Sequence, residues 1–114
     1  MVRIFKIASA ASWAQACSAG LFEGAAIDFS DGFIHFSDAR QVKETAARHF
    51  AGAHDLLLLA FNAEDFGDDL RWEVSRGGAL FPHLYGTLDP AMCIASWPLP
   101  WTGTEHKFPE GWDT

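Results

Sequence analysis

Gly32-Phe33-Ile34-His35-Phe36-Ser37-Asp38 reads as a glycine turn, an alternating strand and a helix cap in direct succession. Alternation puts Phe33, His35 and Ser37 on one face of that strand and Ile34 and Phe36 on the other. Asp38 is a preferred N-cap, Gln41 stands at the reciprocal capping position, and Gly52 is a stop, so a helix is predicted from Asp38 through Phe50. Val42, Ala46 and Phe50 form its buried stripe, with Glu44 and Arg48 paired on the wet side. A strand passing at once into a helix, with strand patterns before and after it, puts both kinds of element in one chain.

Upstream, Val2 to Ile7 mixes β-branched and aromatic residues as a strand does. Ser9 to Ser12 offer helix caps, Ser12 and Gln15 fit a capping box, Trp13, Ala16 and Cys17 give one apolar face, and Gly20 suits the close of a short helix. Downstream, Leu56-Leu57-Leu58-Leu59-Ala60-Phe61 is an uninterrupted apolar run, the pattern of a strand covered on both faces, and is placed at the centre of the sheet. Glu64, Asp65, Asp68 and Asp69 make a solvated turn before Leu70 to Val74, where Arg71 and Glu73 share one face and Leu70, Trp72 and Val74 the other. Phe81-Pro82 forces an extended entry into His83-Leu84-Tyr85-Gly86, with His83 and Tyr85 on one face. A last apolar strand is predicted over Ala91 to Trp97, and residues 98–114 read as an irregular tail lying across a single domain of residues 1–114.

The 15 acidic and 8 basic residues leave a net charge of -7, which repels phosphate backbones and argues against non-specific nucleic-acid binding. No apolar run is long enough to cross a bilayer and the N-terminal residues show no signal pattern, so a cytoplasmic protein without membrane attachment is expected. Cys17 and Cys93 lack any paired spacing and read as buried free thiols.

His35, Ser37, Arg71, Glu73, His83 and Tyr85 fall on strand faces that pairing can bring together, and they supply the donors, acceptors and carboxylate of a small-molecule pocket. Each has a plainer alternative. His35 also fits a hydrogen-bonded core histidine, His83 a turn residue fixed by Pro82, and Glu73 an exposed ion pair with Arg71 or Arg76. The histidines show no H-E-x-x-H spacing, His49 falls at a helix end, His54 and His106 in polar loops, and no metal ligand set is assigned. Neither a G-x-G-x-x-G run nor a P-loop occurs.

The order of strand, Trp-bearing helix, Gly-Phe-Ile-His-Phe-Ser, helix ending Ala47-Arg48-His49-Phe50, Leu-rich strand, Leu70-Arg71-Trp72-Glu73 and Phe81-Pro82-His83-Leu84-Tyr85-Gly86 resembles the bacterial domain of unknown function 952 family over nearly the whole chain. That family is grouped with the ADP-ribosyltransferase superfamily. The resemblance therefore implies an α+β fold: a split, mainly antiparallel sheet with two helices packed against it and a cleft for NAD or a related nucleotide. It puts His35 and Ser37 on the pocket wall and Trp13 near the cleft. Lys6-Ile7-Ala8 stands where the superfamily carries His-Gly-Ser or His-Gly-Thr against the nicotinamide ribose, which makes Lys6 the residue at that cofactor-binding position.

On that resemblance Glu73 would stabilise an oxocarbenium-like transition state, His83 would be the acid-base partner, Tyr85 would stack on the ligand and Arg71 would meet a phosphate. A second reading keeps the cleft as a nucleotide-binding or regulatory module without the chemistry. A third is a metal-assisted hydrolase built on His35 and His83.

Overall fold

In the computed structural model, which describes residues 2–114 with the side chain of Arg76 left out, strand β1 (Arg3–Ser9) pairs antiparallel with β4 (Leu56–Asn62) from Arg3 opposite Asn62 to Ser9 opposite Leu56. Helix α1 (Ala10–Ala19) leaves β1 directly. Its N-cap is Ser9, whose Oγ accepts from the Ser12 N–H at 3.1 Å, so the helix opens at the first of the offered caps rather than at the Ser12–Gln15 box. Gly20 closes it in the left-handed conformation, φ 77°, as its position in the sequence implies.

The segment after α1 holds a helix that the sequence reading lacks, α2 (Ala26–Asp31), so among the described residues there are three α-helices rather than the two expected. Ala25 has no side chain to cap it; instead the Asp28 carboxylate reaches back to the Ala25 N–H at 2.7 Å. Gly24 makes room for that contact: a Cβ there would stand 2.8 Å from Asp28 Cβ, and its φ of 120° suits glycine.

The stretch 34–38 is not one strand but two. Ile34–His35 (β2) pairs with β6 (Leu80–Leu84), setting Ile34 against Leu84 and His35 against His83, while Ser37–Asp38 (β3) pairs with β1, setting Phe5 against Ser37. Phe36 between them donates its N–H to the Pro82 carbonyl at 3.1 Å. One sheet thus runs β3-β1-β4-β7 and the other β2-β6-β5, with β5 at Leu70–Val74 and β7 at Ala95–Pro98, and each pairing is antiparallel. The α+β, antiparallel reading holds.

Helix α3 (Val42–His49) begins after the predicted Asp38, yet the predicted capping box is made: Asp38 N–H donates to Gln41 Oε1 and Gln41 N–H to Asp38 Oδ1, each at 3.0 Å. Glu44 and Arg48 pair at 2.8 Å. The predicted strand from Ala91 is shorter, because Pro90–Met92 forms a 3-10 turn and β7 starts only at Ala95.

Strand β4 explains why its sequence does not alternate. Leu59 and Phe61 enter one core with Ile4, Trp13 and Phe36, and Leu58 and Ala60 enter a second with Phe5, Val42, Leu99 and Trp112. Leu99 and Trp112 come from the irregular C-terminal segment, which closes the second core. Cys17 is exposed rather than buried, one residue past Ala16 on the helix wheel, and Cys93 is half-buried. Among the described residues no helix is long and apolar enough to cross a membrane.

Candidate functional site

Pairing of β5 with β6 places Arg71 opposite His83 and Glu73 opposite Phe81, so Glu73 lies diagonal to His83, with Tyr85 just past the end of β6. The Glu73 carboxylate gathers both. Its Oε1 accepts from the Tyr85 hydroxyl at 2.6 Å and lies 2.9 Å from His83 Nδ1, and Oε2 has no hydrogen-bond partner among the described residues. These bonds, Tyr85 first and His83 second, hold the Glu73 carboxyl below the ordinary glutamate range, and the same bond to Glu73 pushes the Tyr85 phenol up. The Arg71 guanidinium lies over the Tyr85 ring at 4.7 Å.

His83 Nδ1 faces the Glu73 carboxylate, and its Nε2 has no hydrogen-bond partner among the described residues. His83 is only 5% exposed, however. Phe33 stacks flat on it, with centroids 3.9 Å apart and planes 24° apart, and also touches the rings of His35 at 4.7 Å and Tyr85 at 5.4 Å. The open side of the cluster is Glu73, with 38% of its side chain exposed, together with Arg71 and Tyr85.

His35 reaches this cluster through Phe33, but its polar atoms belong to another network. Nδ1 lies 2.5 Å from Asp28 Oδ1 and Nε2 lies 2.9 Å from Asp31 Oδ2. With a carboxylate at each ring nitrogen, both polar atoms of His35 are engaged by Asp28 and Asp31, and neither is turned toward a ligand or a metal. Among the described residues no three His, Cys, Asp or Glu side chains converge as a metal ligand set.

Three residues expected at the ligand are placed elsewhere. Ser37 is buried in β3, its Oγ 2.8 Å from Thr45 Oγ1, because the chain changes sheets at Phe36 and turns Ser37 away from His35. Trp13 is core, packed on Phe22 and Phe61. Lys6 is buried, with Nζ 3.0 Å from the His35 carbonyl and 3.4 Å from Asp28 Oδ2. Burial pushes its ammonium below the ordinary lysine range, against the pull of Asp28. Arg76, named as a partner of Glu73, lies outside the described side chains. His106 is buried rather than in an open loop, bonded through Nε2 to the Ala53 carbonyl at 3.0 Å.

The residue missed from the sequence is Asp28. It accepts from the Ala25 N–H, the His35 N–H and the His35 ring and pairs with Lys6, all while 2% exposed. Burial alone would raise its carboxyl, but the His35 bond, the Lys6 charge and the backbone donors outweigh burial and lower it to about 2. A lysine inside the apolar β1 pattern calls for a buried anion, but the sequence does not name Asp28 as that anion, since its neighbours Ile27 and Phe29 are exposed.

A depressed carboxyl adds stability above the unfolded value near 3.9 and loses it as pH falls through the folded value. On acidification from about pH 4 toward pH 2, Asp28 therefore forfeits on the order of 1–2 kcal/mol, discounted for its mixed solvation. Urea titrations over that range should show Asp28→Asn losing less stability with acid than the natural chain; equal slopes would contradict this.

Two surface hollows lie away from the cluster. One of about 460 Å³ is lined by residues including Lys43, Trp101, His106 and Trp112, and one of about 730 Å³ by residues including Arg3, Asp38, Arg40 and Asp113. None of Arg71, Glu73, His83 and Tyr85 lines either.

No curated protein matches the chain. Among solved structures it is similar to protein CC0527 of Caulobacter crescentus: to the crystal structure at 46% identity and a TM-score of 0.88, covering 92% of this chain and 93% of that one. To the solution NMR structure of the same protein the identity is 47% and the TM-score 0.83, over 93% of this chain and 91% of that one. Residues 7–95 match the family described as protein of unknown function (DUF952), and the chain belongs to that family.

Proposed function

We propose that the Glu73, His83, Tyr85 and Arg71 cluster is a nucleotide site of the ADP-ribosyltransferase kind, taking NAD or a related nucleotide and cleaving its nicotinamide–ribose bond. The observation that carries this reading is Glu73: a carboxylate kept ionised by two donors on one oxygen, with its second oxygen uncommitted and part of its surface open. In such a cleavage the C–N bond breaks with its electron pair leaving on nicotinamide. The ribose carbon becomes cationic and water or another acceptor attacks it, giving up a proton. A fixed negative charge beside that carbon stabilises the cation. Tyr85 and Phe33 offer aromatic faces to a base or nicotinamide ring, Arg71 a guanidinium to a phosphate, and His83 the acid-base group. The two antiparallel sheets meeting at the β2–β3 switch are compatible with the split sheet of that superfamily.

A second reading, binding without turnover, is favoured by Lys6 and Phe33. At the position where the superfamily grips the nicotinamide ribose this chain has a buried lysine committed to Asp28, and Phe33 lies on the face of His83. Calorimetric titration of the protein with NAD and ADP-ribose, together with chromatography for released nicotinamide, separates these readings. Binding with release supports the enzyme, binding alone supports the module, and no heat with millimolar ligand overturns both.

A further inference from the structure

Strand β5 is the outer strand of its sheet, and among the described residues it pairs with β6 alone. Which of its backbone groups stay open follows from Pro82. Pro82 has no N–H, stands opposite Trp72, and turns its carbonyl away from β5 to accept from Phe36. Trp72 and Pro82 are therefore a non-hydrogen-bonded pair, and the bonded positions are the odd-numbered ones. The bonds flanking the strand agree: Tyr85 N–H donates to the Asp69 carbonyl at 2.8 Å and Ser75 N–H to the Ala79 carbonyl at 2.9 Å. Trp72 and Val74 consequently hold their N–H and C=O groups out from the sheet edge. Leu70 spends its N–H on Gly67 and leaves its carbonyl open.

An open edge is a template for another extended chain. What this edge fits is its own sequence. Laid antiparallel on itself with outward-facing residues opposed, Leu70-Arg71-Trp72-Glu73-Val74 has three well-overlapped registers. Centred on Arg71 the two arginines face each other; centred on Glu73 the two glutamates do. Centred on Trp72, each Arg71 faces Glu73 of the other copy and Leu70 faces Val74. Like charges directly opposite are destabilising and opposite charges favourable, so charge selects the third register.

We infer that the protein forms a two-fold dimer through β5, with the axis at Trp72. Each Trp72 N–H donates to the Trp72 carbonyl of the other copy, and the two sheets become one continuous sheet. The apolar face of the edge fits this occupant: Trp72 is 39%, Leu80 51% and Val74 70% exposed in the single chain, an unusual row for a surface facing water. Arg71 and Glu73 lie on the opposite face, so the dimer also brings Arg71 of the second copy beside the uncommitted oxygen of Glu73, at the rim of the cluster. The dimer does not depend on what that cluster binds.

Sedimentation of the full chain over a wide concentration range tests it. The natural chain is expected to dimerise, Arg71→Glu and Glu73→Arg each to remain monomeric, and an equimolar mixture of these two variants to dimerise again, since Glu then faces Arg at both positions. Val74→Lys, at the most open of these positions, gives the same loss without touching Arg71 or Glu73 and decides the matter should circular dichroism show either reversal unfolded. A natural chain that stays monomeric at millimolar concentration, with the edge left for some other partner, overturns the inference. So does a dimer that survives Val74→Lys, or two folded monomeric reversals that fail to associate when mixed.

Discussion

Asp28→Ala is expected to cost about 3–5 kcal/mol of folding stability, a large share of the roughly 5–15 kcal/mol available to a domain. The reason is what alanine leaves behind. Lys6 is buried among apolar neighbours, Nζ lying 5.7 Å from the Phe22 ring centroid and 5.8 Å from that of Phe36, and Asp28 is its only carboxylate partner among the described residues. Removing the anion strands the cation, and the Ala25 N–H, the His35 N–H and the His35 Nδ1 lose their acceptor in the same step. Lys6→Met should cost less, because Asp28 keeps those donors. The double change Lys6→Met with Asp28→Ala should then cost clearly less than the sum of the single changes, since the stranded charge is gone. Urea denaturation of the four proteins gives the cycle; additive losses, or an Asp28→Ala loss under about 1 kcal/mol, would show that the pair is not what holds α2 to the sheets.

That network marks where the sequence stops being readable. The apolar run of β4 announced a strand covered on both faces, because burial on two sides leaves a composition signal along the strand itself. The faces of β5 and β6 were legible as alternation, which put Arg71 with Glu73 and His83 with Tyr85, but the pairing and register that join the two strands were not. The β2–β3 switch was not legible. A strand that changes sheets at one residue keeps the same alternating letters, and only the partners of Ile34 and Ser37 reveal that Ser37 turns to Thr45 while His35 turns to Asp28. Helix α2 was hidden for another reason: its cap is the carboxylate of Asp28, the third residue of the helix, rather than a Ser or Thr before it. Lys6 read as a ligand residue because of the place it holds in the family resemblance, and nothing local to β1 pointed to its partner, which lies 22 residues on in the chain at Asp28.

At the cluster, Glu73→Gln is expected to lower nicotinamide release by about 10²–10³-fold while leaving nucleotide affinity little changed. Glutamine preserves the shape and one acceptor oxygen, but it offers no negative charge to a cation that exists only in the transition state, so the loss falls on turnover rather than binding. Tyr85→Phe makes a finer test, because it leaves the charge and removes its strongest anchor. The Tyr85 hydroxyl is the first cause of the depressed Glu73 carboxyl, so without it that carboxyl rises toward the ordinary glutamate value. A group that must be ionised then becomes protonated at higher pH. The acid limb of the rate profile should move up in pH in Tyr85→Phe, with the rate at neutral pH falling far less than in Glu73→Gln. An acid limb that stays in place would mean that the titrating group is not Glu73, and unchanged release in Glu73→Gln would remove it from the chemistry altogether.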